Sequence, residues 1–65
     1  MDKLIIANIS NNLEIATSLA EKIYFKMEPF VDFSEISQKE LLETAKEWRE
    51  YFTSKDRKQL GGNNE

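Results

Sequence analysis

The run Ile36-Ser37-Gln38-Lys39-Glu40-Leu41 carries two independent helix-start signals that agree on one residue. Ser37 and Glu40 stand at capping-box spacing, in which the hydroxyl takes an orphan N–H and the carboxylate reaches back to the Ser37 amide. Ile36 and Leu41 stand at the spacing of a hydrophobic staple across the same cap. A helix is therefore predicted from about Gln38. Downstream, Leu41, Ala45, Trp48 and Phe52 recur at steps of 4, 3 and 4, with Leu42 and Tyr51 on the flanks. That is the inner stripe of an amphipathic helix, and it assigns Trp48 and Phe52 to the core. Lys55, Arg57 and Lys58 follow where the negative end of the helix dipole favours cations, and Gly61-Gly62 marks a stop, so the helix is predicted to end at about Lys58.

Upstream, Pro29 closes a first helix, because it restricts Glu28 and cannot continue a ladder of hydrogen bonds. The start of this helix has more than one reading. Ile5, Ile9, Leu13, Ala16, Ala20, Ile23 and Met27 form an unbroken stripe at steps of 3 and 4, which favours one long helix capped by Asp2. A bend or fraying is expected near Ser10–Asn12, where helix propensity is poor. Asn11 with Glu14 three residues on would instead start the helix at Asn12. A short strand over Leu4–Ile9 is a third reading, but it has no obvious mate. Between the two helices lies Pro29-Phe30-Val31-Asp32-Phe33-Ser34-Glu35-Ile36, too apolar for an ordinary solvated loop. Asp32 is placed to cap one short turn over Phe33–Ile36. Phe30, Phe33 and Ile36 either fold back as a plug or leave one or two aromatics exposed as an anchor for a partner.

These elements predict an all-α, antiparallel two-helix hairpin with a short helical turn in its elbow. Residues 1–60 form its single domain and residues 61–65 a disordered tail. Two helices of this length bury too little apolar surface to offset the ordering of the chain. The first helix also has an apolar arc of about 180° at about 100° per residue, running from Ile15 and Leu19 through Ile9, Ala16, Ala20 and Met27 to Tyr24. Phe25 adds a bulky aromatic on the far side. One neighbour does not cover so wide an arc, and Ala16 with Ala20 form a small patch that would let another backbone approach closely. Dimerisation into a four-helix bundle is the expected solution. A monomer whose elbow and amino terminus cover the excess is the alternative.

Composition narrows the chemistry. The 65 residues, 40% hydrophobic and 32% charged, leave room for one soluble globular domain. Without Cys or His there are no disulfides, thiolate nucleophiles, Cys/His zinc sites or imidazole proton carriers. A net charge of −3 argues against a domain that wraps phosphate backbone, and the only mid-helix cations of the first helix are Lys22 and Lys26. The apolar run Leu4-Ile5-Ile6-Ala7 is too short to span a bilayer and is not a convincing signal peptide, so a cytoplasmic protein is expected. Glycines occur only at Gly61 and Gly62, so no phosphate-cradling loop is present. Ser, Thr and Tyr lack an adjacent base, and Lys3, Lys22 and Lys26 fall on predicted polar faces rather than in a burial that lowers a lysine pKa.

The most regular polar feature is the row Glu40, Glu43, Glu47 and Glu50, at steps of 3, 4 and 3 along one face of the second helix. Its Glu-x-x-Glu pairs resemble those with which all-α nucleotide pyrophosphatases hold magnesium, but such sites need carboxylates converging from more than one helix. A solvated face, or a stripe that docks a basic partner, fits the row without a metal. Ser37-Gln38-Lys39-Glu40-Leu41 resembles the Ser-Gln-Glu-Leu-Asp motif of the small aspartyl-phosphate phosphatases of sporulating bacilli, which are helical hairpins of comparable size. The likeness requires one inserted residue, and Leu41 or Leu42 stands where that family has Asp. It would imply action on a response regulator. The hairpin layout is also similar to the Rop-type bundle that binds paired RNA loops, which would imply an RNA-binding dimer.

The reading these observations favour is a small non-enzymatic regulator from a bacterium or phage, of inhibitor, antitoxin or adaptor type, that binds another protein and needs no cofactor or metal. Its expected contact residues are the leftover apolar side chains Ile15, Leu19, Phe25, Phe30 and Phe33, with Glu40, Glu43, Glu47 and Glu50 steering a basic partner.

Overall fold

Asp2 opens the first helix. From an extended backbone (φ −98°, ψ 104°) its Oδ1 accepts the N–H of Leu4 at 3.0 Å and of Ile5 at 3.3 Å, satisfying two of the orphan donors of a helix start. A computed structural model of the chain describes the backbone of residues 2–63 and the side chains of residues 2–55. Within that span lie three helices and no strand: α1 (Lys3–Leu13), α2 (Thr17–Met27) and α3 (Gln38–Asn63).

The long first helix predicted up to Pro29 is thus two helices, and the fold is a three-helix unit rather than a two-helix hairpin. The break falls at Glu14–Ala16, not at Ser10–Asn12. Glu14 takes the left-handed conformation (φ 55°, ψ 50°), and its N–H donates to the Ser10 carbonyl. The Ile15 N–H donates to that carbonyl as well, at 3.1 Å, while Ser10 Oγ donates back to the Ile15 carbonyl at 2.7 Å. Ser10 therefore satisfies the end of α1 from both sides. Asn12, offered by the sequence as a helix start, lies inside α1, where its Nδ2 donates to the Asn8 carbonyl at 2.8 Å and to Asn8 Oδ1 at 2.7 Å. The strand reading of Leu4–Ile9 is overturned by the same helix.

The apolar stripe is real, but it folds on itself. Ile6, Ile9 and Leu13 of α1 meet Ala20, Ile23, Tyr24 and Met27 of α2 in one core, which Leu41 and Ala45 of α3 complete. Ile6 takes the buried place expected of Ile5, which is half-buried. Ala16 is an exposed N-cap without a side-chain capping bond, so it makes no small-residue patch with Ala20, which is fully buried in the chain's own core. Among the described residues the core holds no polar or charged side chain.

α2 ends at Met27 because Pro29 has no N–H to donate one turn back. Glu28 itself stays helical (φ −51°, ψ −44°), and turn bonds from Phe30 and Val31 to the Met27 carbonyl carry the chain away. At the start of α3 the Glu40 N–H donates to Ser37 Oγ at 3.1 Å, as the capping box requires. The reciprocal half differs from expectation: Ser37 Oγ donates to Glu40 Oε1 at 3.1 Å. A paired carboxamide contact joins α1 to this end of α3. Asn8 Nδ2 donates to Gln38 Oε1 and Gln38 Nε2 to Asn8 Oδ1, both at 2.8 Å.

Helix lengths set the remaining geometry. α1 and α2 have 11 residues each, about 16 Å, against 26 residues and about 39 Å for α3. The molecule is accordingly elongated, 45 × 20 × 20 Å, and the short helices run out of cover along α3. Trp48 and Phe52, expected inside the core, are half-buried at its margin for that reason. α3 is described to Asn63, past the expected end at Lys58, and the expected disordered tail, 61–65, reaches outside the described residues. Among the described residues no helix is long and apolar enough to cross a membrane.

A non-glycine residue in the left-handed region costs on the order of 1 kcal/mol, which glycine avoids. Glu14→Gly is expected to raise the stability of the domain by about 0.5–1 kcal/mol in urea unfolding. Glu14→Val, β-branched in the same conformation, is expected to lower it.

Candidate interaction surface

Tyr24 organises the surface where α2 meets the elbow. Its ring is buried at 5% exposure, stacks on Phe33 (centroids 4.8 Å apart, planes 11° apart) and receives Phe25 edge-on at 5.6 Å and 74°. The elbow is thereby pinned to α2 by aromatic packing, with Val31 and Ile36 also packed against the core. Asp32 shapes the pinned segment. Its Oδ1 accepts the Ser34 hydroxyl at 2.6 Å and the Ser34 N–H at 3.0 Å, while its carbonyl accepts from Glu35 and Ile36 at 3.0 Å. This is the short capped turn that the sequence predicts. The Ser34 hydroxyl, and then the Ser34 N–H, hold the Asp32 carboxyl below its ordinary pKa, against a small opposing effect of burial.

The nine expected contact residues separate into three environments. Phe25 and Phe30 stand out, 52% and 81% exposed. Phe33, Ile15 and Leu19 are half-buried against the core, so the plug and anchor readings of the elbow divide between Phe33 with Ile36 and Phe30. Ile15 lies in the break between α1 and α2 rather than on a helix face. Glu40, Glu43, Glu47 and Glu50 are all exposed on α3, with Glu40 engaged in the cap. Lys3, Lys22 and Lys26 are exposed as the sequence predicts.

A second aromatic group, on α3, is more open than its sequence spacing implies. Trp48 meets Tyr51 edge-on at 5.4 Å and Phe52 at 6.1 Å, and Tyr51 meets Phe52 at 5.4 Å. Tyr51 is 50% exposed and lines an open groove with Lys26, Glu47 and Trp48. Sequence reasoning placed Tyr51 only on a flank. The available signal was its position one turn from both Glu47 and Lys55. Leu4, 82% exposed near the start of α1, was also missed: the apolar stripe through Ile5 leaves out both Leu4 and Ile6, and gave no sign that one is exposed and the other buried.

Among the described residues no three acidic side chains gather where a metal could be held. Gln38, which aligns with the Gln of the phosphatases' Ser-Gln-Glu-Leu-Asp motif, is paired with Asn8. No protein-family model matches the chain, and comparison with curated proteins and with solved structures found no match either.

Two measurements check this description. Phe33→Ala is expected to cost about 1–3 kcal/mol in urea unfolding, against less than about 0.5 kcal/mol for Phe30→Ser, because Phe33 packs on Tyr24 and Phe30 is 81% exposed. The second follows Asp32 by NMR titration, where its carboxyl should titrate below the ordinary carboxylate range and Ser34→Ala should move it back up. Because the folded pKa is the lower one, the ionised carboxylate's support of the elbow is complete above the unfolded value and is lost as pH falls through the folded value.

Proposed function

We propose that the chain is a small non-enzymatic regulator that acts in the cytoplasm by binding another protein, in the manner of an inhibitor, antitoxin or adaptor, and that it works as a dimer. The observation that carries this reading is the exposure of Phe25 beside a rigidly packed elbow. Its ring is held by Tyr24 on one side and half open to solvent on the other. A large side chain restrained in this way loses little freedom when a partner covers it, the property expected of a binding hot spot. Phe30 extends the apolar contribution from the elbow.

The acidic row complements the apolar one. Glu43, Glu47 and Glu50, exposed on one helix face, would speed encounter with a basic partner and add modest affinity. The absence of Cys and His from the sequence supports a binding role over a catalytic one.

Capture from a lysate on the immobilised chain, with folded Phe25→Ala and Phe30→Ser variants in parallel, tests the reading. One protein retained by the wild type and reduced about tenfold or more on both variants is expected, since a hot-spot truncation is worth about 2 kcal/mol. Equal retention on all three would overturn the assignment of the surface. Release of phosphate from a phosphorylated response regulator, abolished by Gln38→Ala, would overturn the non-enzymatic role.

A further inference from the structure

An exposed stripe of α3, beside the face that Trp48 and Phe52 pack against the core, carries a pattern that complements itself. Glu47, Tyr51 and Lys55 follow one another at intervals of four residues, so they share one stripe of the helix, and all three are exposed. The centre of the stripe is a half-exposed aromatic beside the groove that Trp48 and Lys26 help to line. Its ends have opposite charge. We infer that this stripe is the contact between two copies of the chain, packed antiparallel along α3 with the two-fold axis at Tyr51.

The charge order selects this arrangement. A two-fold axis at Tyr51 places each residue a given distance before it opposite the residue the same distance after it in the second copy. Glu47 then faces Lys55 of the second copy, and Lys55 faces its Glu47. A parallel pairing would set Glu47 against Glu47 and Lys55 against Lys55, so like charges disfavour it. The two Tyr51 rings meet at the centre, where each gains apolar cover for a ring that its own chain leaves half exposed. The inference rests on the proposal that the chain works as a dimer, and it names the face that joins.

Sedimentation equilibrium at low salt on the full chain and its charge variants tests it, with circular dichroism confirming that each variant keeps its helices. The wild type is expected to dimerise. Glu47→Lys and Lys55→Glu are each expected to weaken self-association about tenfold or more, because each replaces two attractions per dimer with two repulsions. An equimolar mixture of these two variants is expected to associate to within about threefold of the wild type, since one copy then carries two lysines and the other two glutamates. Tyr51→Ser is expected to weaken the dimer irrespective of salt. A dimer indifferent to the single reversals, or variants that fail to recover on mixing, would place the contact elsewhere and leave the dimer itself standing. A wild-type monomer at all concentrations would overturn both the contact and the dimer.

Discussion

Glu14 turns the chain back on itself, and the rest of the architecture depends on that turn. Its left-handed backbone and the paired bonds to Ser10 divide one apolar stripe into α1 and α2. Ile6, Ile9 and Leu13 then lie against Ala20, Ile23 and Met27 within one chain. Most of the surface that an undivided helix would have offered to a second molecule is covered internally. Toward the far end of α3 cover is set by length as well, because two helices of 11 residues cannot flank one of 26.

Polar contacts in this molecule place the helices, while apolar burial holds them. The core has no polar member among the described residues, and the hydrogen bonds that join distant parts of the chain are exposed. The Asn8 and Gln38 carboxamides exchange protein partners for water at little net gain, as exposed hydrogen bonds do. Their value is geometric: two parallel bonds fix the start of α3 at one height along α1. Since the Ser37 cap sets where α3 begins, cap and carboxamide pair together determine how far the helix extends beyond the core, and so which of its aromatics remain uncovered.

Local chemistry was legible in the sequence wherever one residue sufficed to announce it. Asp2, Ser37 with Glu40, Pro29 and Asp32 each mark a helix end or turn by side-chain type alone, and each does so in the structure. The turn at Glu14 had no such marker. Glycine usually announces a left-handed residue, and the stripe steps from Leu13 to Ala16 to Ala20 without losing helical spacing. Asn11 and Asn12 drew attention to the wrong turn of helix, because a side-chain amide that caps in one setting bonds to the preceding turn in another. Burial of Trp48 and Phe52 was overestimated for a different reason. Periodicity says which face of α3 turns inward, and only the lengths of its neighbours say how far along it there is anything to turn toward.

The elbow shows why an aromatic count is a poor guide to a binding surface. Phe25, Phe30 and Phe33 were equivalent candidates by type, yet their surroundings differ through one residue. Tyr24 lies between Phe25 and Phe33, so a partner that covers Phe25 presses on a ring already stacked against the elbow. Phe30 makes no such contact among the described aromatic pairs, although it is the more exposed of the two. Contact at Phe25 is therefore coupled to the packing of residues 31–36, whereas contact at Phe30 is not. A partner that bound at Phe25, as proposed, would feel the order of the elbow in its affinity, because the freedom already removed by Tyr24 and Phe33 is freedom it would not have to restrict.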